Sequence, residues 1–230
     1  WTAASVGTAV EKVCGNVRDK LIKLASSHRF FEGADTQDLI LTDGTIQSSI
    51  NPARQISIAQ LMADTKTKKI ERKSMALPKM LKQRKYTRQS HSAVFVEVSL
   101  DEDTHMVKVT RVVSAIAGGR ILNPKTARSQ IIGGVVWGIS AALEEETVRD
   151  HRLGRVMNHS LAEYHFPVNA DIGDIEVIFV EENDEIVNPL GVKGLGEIGI
   201  VGVAAAVANA VFHATGKRVR HLPITVDKLL

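Results

Sequence analysis

The sequence predicts an α+β fold, with helices packed on antiparallel or mixed sheets, and three stretches carry that prediction. Residues 93–115 hold two runs of alternating β-prone side chains around the polar turn Asp101–His105, which reads as a long hairpin with one buried face. Val10, Val13, Val17, Leu21 and Leu24 recur every three to four positions, the period of an amphipathic helix. Residues 198–214 are apolar on nearly every face, rich in alanine and too long for a typical strand, so they read as a buried helix. Helices and hairpins follow one another in blocks rather than as alternating βα units, which is the α+β pattern.

Along the chain, residues 2–7 are small and polar and lead into the first helix, with Ser5 placed as its N-cap. From Leu39 to Ile50 two β-prone runs flank Asp43-Gly44, a strong hairpin signal. Ser57 opens a short helix over Ile58–Asp64. Between Lys66 and Arg88 stand ten Lys or Arg and a single acid, so a net charge of +3 conceals one strongly basic run in an otherwise acidic chain. Only Tyr86 interrupts that run, so it lacks the interleaved aromatics of a strand-binding platform and reads as a solvated connection. It separates a first α+β part, 1–85, from a second, 86–230.

In the second part, Asn123-Pro124 supplies the cap and first turn of a helix over Lys125–Leu143. Gly133, Gly134 and Gly138 lie within it, each costing about 1 kcal/mol against alanine, which implies close approach of another backbone or a ligand. Glu144–Glu146 at its end reads as solvated, 151–170 as loop, and 174–180 as a strand. With 44% hydrophobic residues over 230 positions, a sizeable core is available, and no run has the length and flanks of a membrane span. Cys14 is the only cysteine, which excludes an internal disulfide, and His151, His159 and His165 lack the spacing of a zinc set.

The stretch Asn188–Gly199 packs four glycines and the carboxylate Glu197 into a short loop before the alanine-rich run. If that run is helical from residue 198, Glu197 sits at its first turn, where unpaired N–H groups favour a carboxylate. One reading is a helix start with a stabilising Glu and turn glycines. The other is a catalytic base beside a bound anion.

Lys193-Gly194-Leu195-Gly196-Glu197, followed by a small-residue helix, resembles the signature loop of the molybdenum hydroxylases, the xanthine dehydrogenase/aldehyde oxidase family. Thr2-Ala3-Ala4-Ser5-Val6-Gly7, Gly119-Arg120-Ile121-Leu122-Asn123-Pro124 and Ser129-Gln130-Ile131-Ile132-Gly133-Gly134 resemble the same large subunit in the same order, and His221–Thr225 resembles its closing strand. The chain departs from the family in having Ala117-Gly118 before Gly119-Arg120, where an Asp or Cys is usual, so Arg120 is read as structural. The resemblance implies the C-terminal part of a molybdopterin-binding large subunit, nearest to bacterial aldehyde oxidoreductases, with both parts of the chain contributing to a cofactor-binding domain. Glu197 would then be the general base for hydroxylating an aldehyde or aromatic heterocycle with water-derived oxygen. Thr2, Ala3, Ala4, Ser5, Gly7, Gln130, Lys193, Gly194, Leu195 and Gly196 would meet a molybdenum-molybdopterin, expected as the cytosine dinucleotide. No side chain ligates the metal directly, and the Ala4 backbone lies near it.

The same resemblance implies further partners: the N-terminal part of the large subunit, and iron–sulfur (2Fe-2S) and FAD subunits or domains that carry electrons away. Neither nucleic acid nor a membrane span is expected, and a soluble location leaves bacterial cytoplasm and periplasm open. With no initiator Met before Trp1, the chain reads as a fragment or an internally cleaved chain, expected to be inactive alone. Two other classes of function stay open: a nucleotide- or RNA-binding module using the Gly loops and the 66–88 run, and a non-catalytic assembly subunit in which Glu197 only caps a helix.

Overall fold

The computed structural model describes residues 2–76 and 84–230 and divides into two compact units, Trp1–Lys79 and Met80–Leu230. Part of the basic run, 77–83, lies outside the described residues. In the first unit a π-helical turn, Ala3–Gly7, runs directly into α1, Thr8–Ser26. The predicted loop with a Ser5 cap is therefore corrected: Thr2 is already helical at φ −57°, no side chain caps the start, and the Ser5 carbonyl accepts from Thr8 N–H. Small residues with ordinary helical φ wind up here, and no left-handed glycine stops them.

The hairpin β1 (Leu39–Thr42) and β2 (Thr45–Ser48) forms around Asp43 and Gly44, at φ 47° and 74°. Both central residues must be left-handed in the turn that matches strand twist, which Asp-Gly supplies. β3 (Gln55–Ser57) adds to β2, and the Ser57 hydroxyl accepts from Gln60 N–H at 3.1 Å to cap α2, Ile58–Asp64. Leu21 and Ala25 of α1, Phe31, Ile46 of β2 and Leu61 of α2 close this unit's own core.

The second unit is built on β4 (His91–Leu100) and β5 (Val107–Ala117), the predicted hairpin. A bulge opposite Glu97/Val98 leaves Thr110 as the extra residue and switches the alternation, so that Val109 above it and Val112, Ser114 and Ile116 below it all face inward. Next comes α3, Pro124–Leu143, capped by the Asn123 side chain, which accepts from Thr126 N–H at 3.1 Å. A minimal hairpin follows, β6 (Arg149–Asp150) and β7 (Arg155–Val156), and then β8 (Asp174–Phe179), which joins β5 in parallel to give a mixed sheet in the order β4-β5-β8. α4, Val203–Thr215, buries Val203, Val207 and Val211 against Ile131, Val135 and Ile139 of α3 and the sheet. Among the described residues no helix is long and apolar enough to cross a membrane.

Three local expectations change. The helix expected from 198 starts at Val203, because Gly202 at φ 88° breaks the winding, and it buries one stripe rather than every face. Residues 221–225 form no strand; Ile224 is buried, and its N–H donates to the Ala142 carbonyl at 2.7 Å. The acidic run after α3 is only partly solvated: Glu146 is exposed, whereas Glu145 is half-buried and accepts from Ser140 Oγ and, at 2.8 Å, from Tyr164 OH.

The helix glycines divide by what surrounds them. A Cβ on Gly134 would stand 2.8 Å from the Gly199 carbonyl carbon and the Ile200 nitrogen, and one on Gly138 would stand 2.5 Å from Val203 Cβ. A Cβ on Gly199 would in turn meet the Ile131 carbonyl oxygen at 2.8 Å. The loop before α4 therefore lies backbone to backbone on α3. Gly133, by contrast, faces open space.

Upstream, the same loop is clasped to the turn 118–120. Arg120 N–H donates to the Gly191 carbonyl at 2.8 Å, Lys193 N–H to Gly118 at 3.2 Å, and a Cβ on Gly119 would run into the Gly191 oxygen. The Lys193 side chain, 6% exposed, carries its ammonium to Glu182 Oε1 at 2.5 Å and Asp184 Oδ2 at 3.2 Å. The hydrogen bond from Lys193 outweighs burial and holds the Glu182 carboxyl below the usual range. Burial pushes Asp184 up, but the Val187 and Ile186 amides and Lys193 more than reverse it. Burial likewise works against the Lys193 charge, and the two carboxylates overcome it to hold the amine above the ordinary lysine value.

Two outcomes follow from these contacts. In the protein carrying this chain, Gly134→Ala is expected to lower unfolding free energy by about 1–3 kcal/mol through overpacking, and Gly133→Ala to raise it by up to about 1 kcal/mol; denaturant titration of both compares them directly. Lys193→Met should cost about 3 kcal/mol near neutral pH by stranding two partly buried carboxylates. Glu182 and Asp184 have depressed folded pKa values, so their contribution is complete above the ordinary values of 4.5 and 3.8 and is lost as pH falls through the folded ones. The Lys193 contribution is complete below its ordinary 10.5 and is lost only as pH rises through the higher folded value. The gap between wild type and Lys193→Met should accordingly be a plateau between about pH 5 and 10 that narrows at both ends when unfolding is followed against pH.

Candidate functional site

Between its two anchors the loop leaves five residues, 194–198, suspended at the surface. Leu195 and Ile198 turn inward and pack against the core of the second unit, and the Leu195 side chain lies where a Cβ on Gly118 would go. Gly194, Gly196 and Glu197 face out and are exposed. The Gly194 carbonyl accepts from Ser90 Oγ at 3.0 Å, which sets the peptide before Leu195. Among the described residues, no carbonyl or side chain accepts from the N–H groups of Gly194, Leu195, Gly196 or Glu197. Four donors in succession are left for water or a ligand.

Glycine is required at Gly119, Gly134 and Gly199 by backbone contact, and at Gly191 and Gly202 by left-handed φ of 69° and 88°. Neither reason applies to Gly194 or Gly196. Nothing lies within 4 Å of a Cβ built on Gly194, a Cβ on Gly196 would meet only Gln130 Oε1, at 3.9 Å, and neither residue has positive φ. Two glycines that the fold does not need stand beside a carboxylate and a row of free donors. Without side chains they leave open space on the outward side of the chain.

Of the sequence-predicted site residues, the structure brings Gln130 together with Gly196 and hence with the 194–197 segment. Gly133, one turn along α3 from Gln130, also has an open face. Glu197 is not at a helix start: Ile200 N–H reaches back to its carbonyl and α4 begins only at Val203, so the helix dipole, which falls off within the first turn, does not act on it. Lys193 offers no free cation, because Glu182 and Asp184 enclose its ammonium and Gln89 O lies 3.3 Å away; it fastens the loop from beneath. Thr2, Ala3, Ala4, Ser5 and Gly7 belong to the first unit, with Thr2, Ala3 and Ser5 exposed and Ala4 and Gly7 half-buried.

Sequence reasoning missed Glu182 and Asp184. They sit in the acid-rich Glu181–Glu185 segment after β8; the signal that could have found them is Lys193, the single cation of the glycine-rich stretch that follows.

A family model described as the molybdopterin cofactor-binding domain matches residues 1–173. The aldehyde oxidoreductase molybdenum-binding subunit PaoC of Escherichia coli (strain K12) is 52% identical over 147 residues, 64% of this chain and 20% of that protein. The 6-hydroxypseudooxynicotine dehydrogenase complex subunit gamma of Paenarthrobacter nicotinovorans is 30% identical over 237 residues, 100% of this chain and 29% of that protein. The chain thus spans less than a third of the length of these relatives. Among solved structures, quinoline 2-oxidoreductase from Pseudomonas putida 86 superposes over 98% of this chain and 29% of its own at a TM-score of 0.78 and 23% identity, a likeness of fold. The aldehyde oxidoreductase from Desulfovibrio desulfuricans matches 61% of this chain and 15% of its own at a TM-score of 0.56 and 29% identity. With its α+β architecture and its four ordered motifs, the chain belongs to the molybdopterin cofactor-binding domain family of the molybdenum hydroxylase large subunits.

Proposed function

We propose that this chain forms part of the cofactor site of a molybdenum enzyme that hydroxylates an aldehyde or aromatic heterocycle with oxygen from water, with Glu197 as its general base. The observation that carries this reading is the pair Gly194 and Gly196, open-faced glycines beside free backbone donors and an exposed carboxylate. That arrangement fits a bulky, anionic group lying against the loop. The 52%-identical relative is a subunit of an aldehyde oxidoreductase, which favours an aldehyde among the candidate substrates.

When bound, the molybdenum–pterin group supplies the two-electron oxidant. The residues of this chain bind it, orient it and move a proton. In this scheme the N–H groups of Gly194, Leu195 and Gly196 donate to pterin or phosphate oxygens, the Gln130 amide adds a side-chain contact from α3, and Lys193 keeps the loop in register from below. Thr2, Ala3, Ala4, Ser5 and Gly7 are further expected cofactor contacts in this reading, with the Ala4 backbone near the metal. The expected form of the cofactor is the cytosine dinucleotide, and electrons leave through iron–sulfur and FAD partners. Glu197 accepts the proton of the attacking oxygen at its carboxylate as the carbon is oxidised. General-base assistance of this kind contributes about 10²–10⁴ in rate.

Glu197→Gln in the complete enzyme should therefore retain molybdenum and pterin and lose turnover by about that factor; metal analysis and steady-state rates read the two effects separately, and a variant keeping most of its activity would remove Glu197 from the role. Gly196→Ala is expected to leave the unfolding midpoint nearly unchanged, because its Cβ meets nothing closer than 3.9 Å, yet to lower pterin content on purification. Full pterin occupancy in that variant would mean that the loop does not face the cofactor.

A further inference from the structure

We propose that Glu182 is a positioning residue, one carboxylate that latches the Glu197 loop to the turn Gly118–Arg120 by accepting from Lys193 and Gly119 together. The role rests on the reading of Glu197 as the base, and the geometry that supports it is independent of that reading. Glu182 Oε2 accepts from Gly119 N–H at 2.7 Å, while Oε1 takes the Lys193 ammonium at 2.5 Å. Gly119 also pairs with Val192 as an isolated bridge, and Val192 is 3% exposed. Asn188 closes the far side, donating from its amide to the Val192 carbonyl at 2.7 Å. The two chain segments thus meet over one buried strip, and Glu182 is the side chain that bonds to both.

Consider what moves if the latch opens. Downstream, Gly199 remains pressed on Ile131, and Leu195 and Ile198 remain in the core, so the unit keeps its fold. Upstream, Lys193 loses its principal partner, and the residues it steadies are Gly194 to Glu197. Glu197 stands four residues from the ammonium, across two glycines that add no stiffness of their own. A shift of about 1 Å at a reacting group costs on the order of 10²-fold in rate. Glu182 therefore acts on turnover through the placement of Glu197, without touching substrate.

The test uses the complete, cofactor-loaded enzyme with Glu182→Ala, Glu182→Gln and, alongside, Glu197→Gln. Glu182→Gln keeps an acceptor for Gly119 and loses the charge that holds Lys193, so it also serves if the alanine variant fails to fold. We expect kcat to fall by about 10- to 100-fold in Glu182→Ala and by less in Glu182→Gln, with KM within a few-fold and molybdenum and pterin content unchanged. Hydrogen exchange followed by mass spectrometry should show faster exchange in peptides covering 118–120 and 193–199 together, and none in 203–215. Unchanged exchange at 193–199, or kcat within twofold of wild type, overturns the latch. An inactive Glu197→Gln beside an unaffected Glu182→Ala rejects the latch and keeps the base. An active Glu197→Gln beside faster exchange and lower kcat in Glu182→Ala rejects the base and keeps the latch.

Discussion

The contact on which the candidate site depends is the backbone-to-backbone seat of the Gly199 segment on Gly134 of α3. Interiors pack at crystal density, so two main chains come this close only where both sides lack a Cβ. The seat fixes the downstream end of the 194–198 segment, and the Lys193 clasp with Glu182 and Asp184 fixes the upstream end. What remains between them has little freedom, with Leu195 and Ile198 drawn inward and Glu197 turned outward. A surface loop is held to something near the precision of a secondary element.

That suspension costs something locally. A lysine 6% exposed and two carboxylates are withdrawn from water, and glycines are spent inside α3, where alanine favours the helix. A protein that sought only stability would place apolar residues at these positions. The expense is understandable where function sets the position of a loop, as it does when a base must meet a bound group within hydrogen-bond reach.

Much of the fold was legible in the residues themselves. Asp43-Gly44, Ser57 and Asn123-Pro124 are local signals whose geometry is fixed by a few dihedral angles and one hydrogen bond, and each appears where the sequence places it. The start of α4 was not legible, because Ile198 to Ala206 is uniformly apolar and periodicity cannot show which residue leaves the helix; Gly202 decides it by its φ. Ser5 looked like a cap because its type is right, and only the backbone shows the winding continuing through it. The bulge at Thr110 is marked in the sequence only by the adjacent polar pair Thr110-Arg111, where the alternation slips, and only the register shows which residue is the extra one. For the site, the glycines of 191–199 were visible as a group, but the division between those serving the fold and those left over, Gly194 and Gly196, needs coordinates. The ion pairs of Lys193 span nine and eleven positions of sequence, a separation that no local pattern encodes.

Membership of the molybdopterin cofactor-binding family, shown over residues 1–173, and the open faces of Gly194 and Gly196 support the proposal that the outward face of 194–197, with Gln130 beside it, meets the cofactor. An experimental structure of the complete, cofactor-loaded protein tests this most directly, through the distances from Glu197 and the Gly194–Gly196 amides to the bound group. The account predicts the Glu197 carboxylate next to the molybdenum centre and the amides within hydrogen-bond distance of pterin or phosphate oxygens. Glu197 turned to another surface, with other protein packed over Gly194 and Gly196, would contradict it.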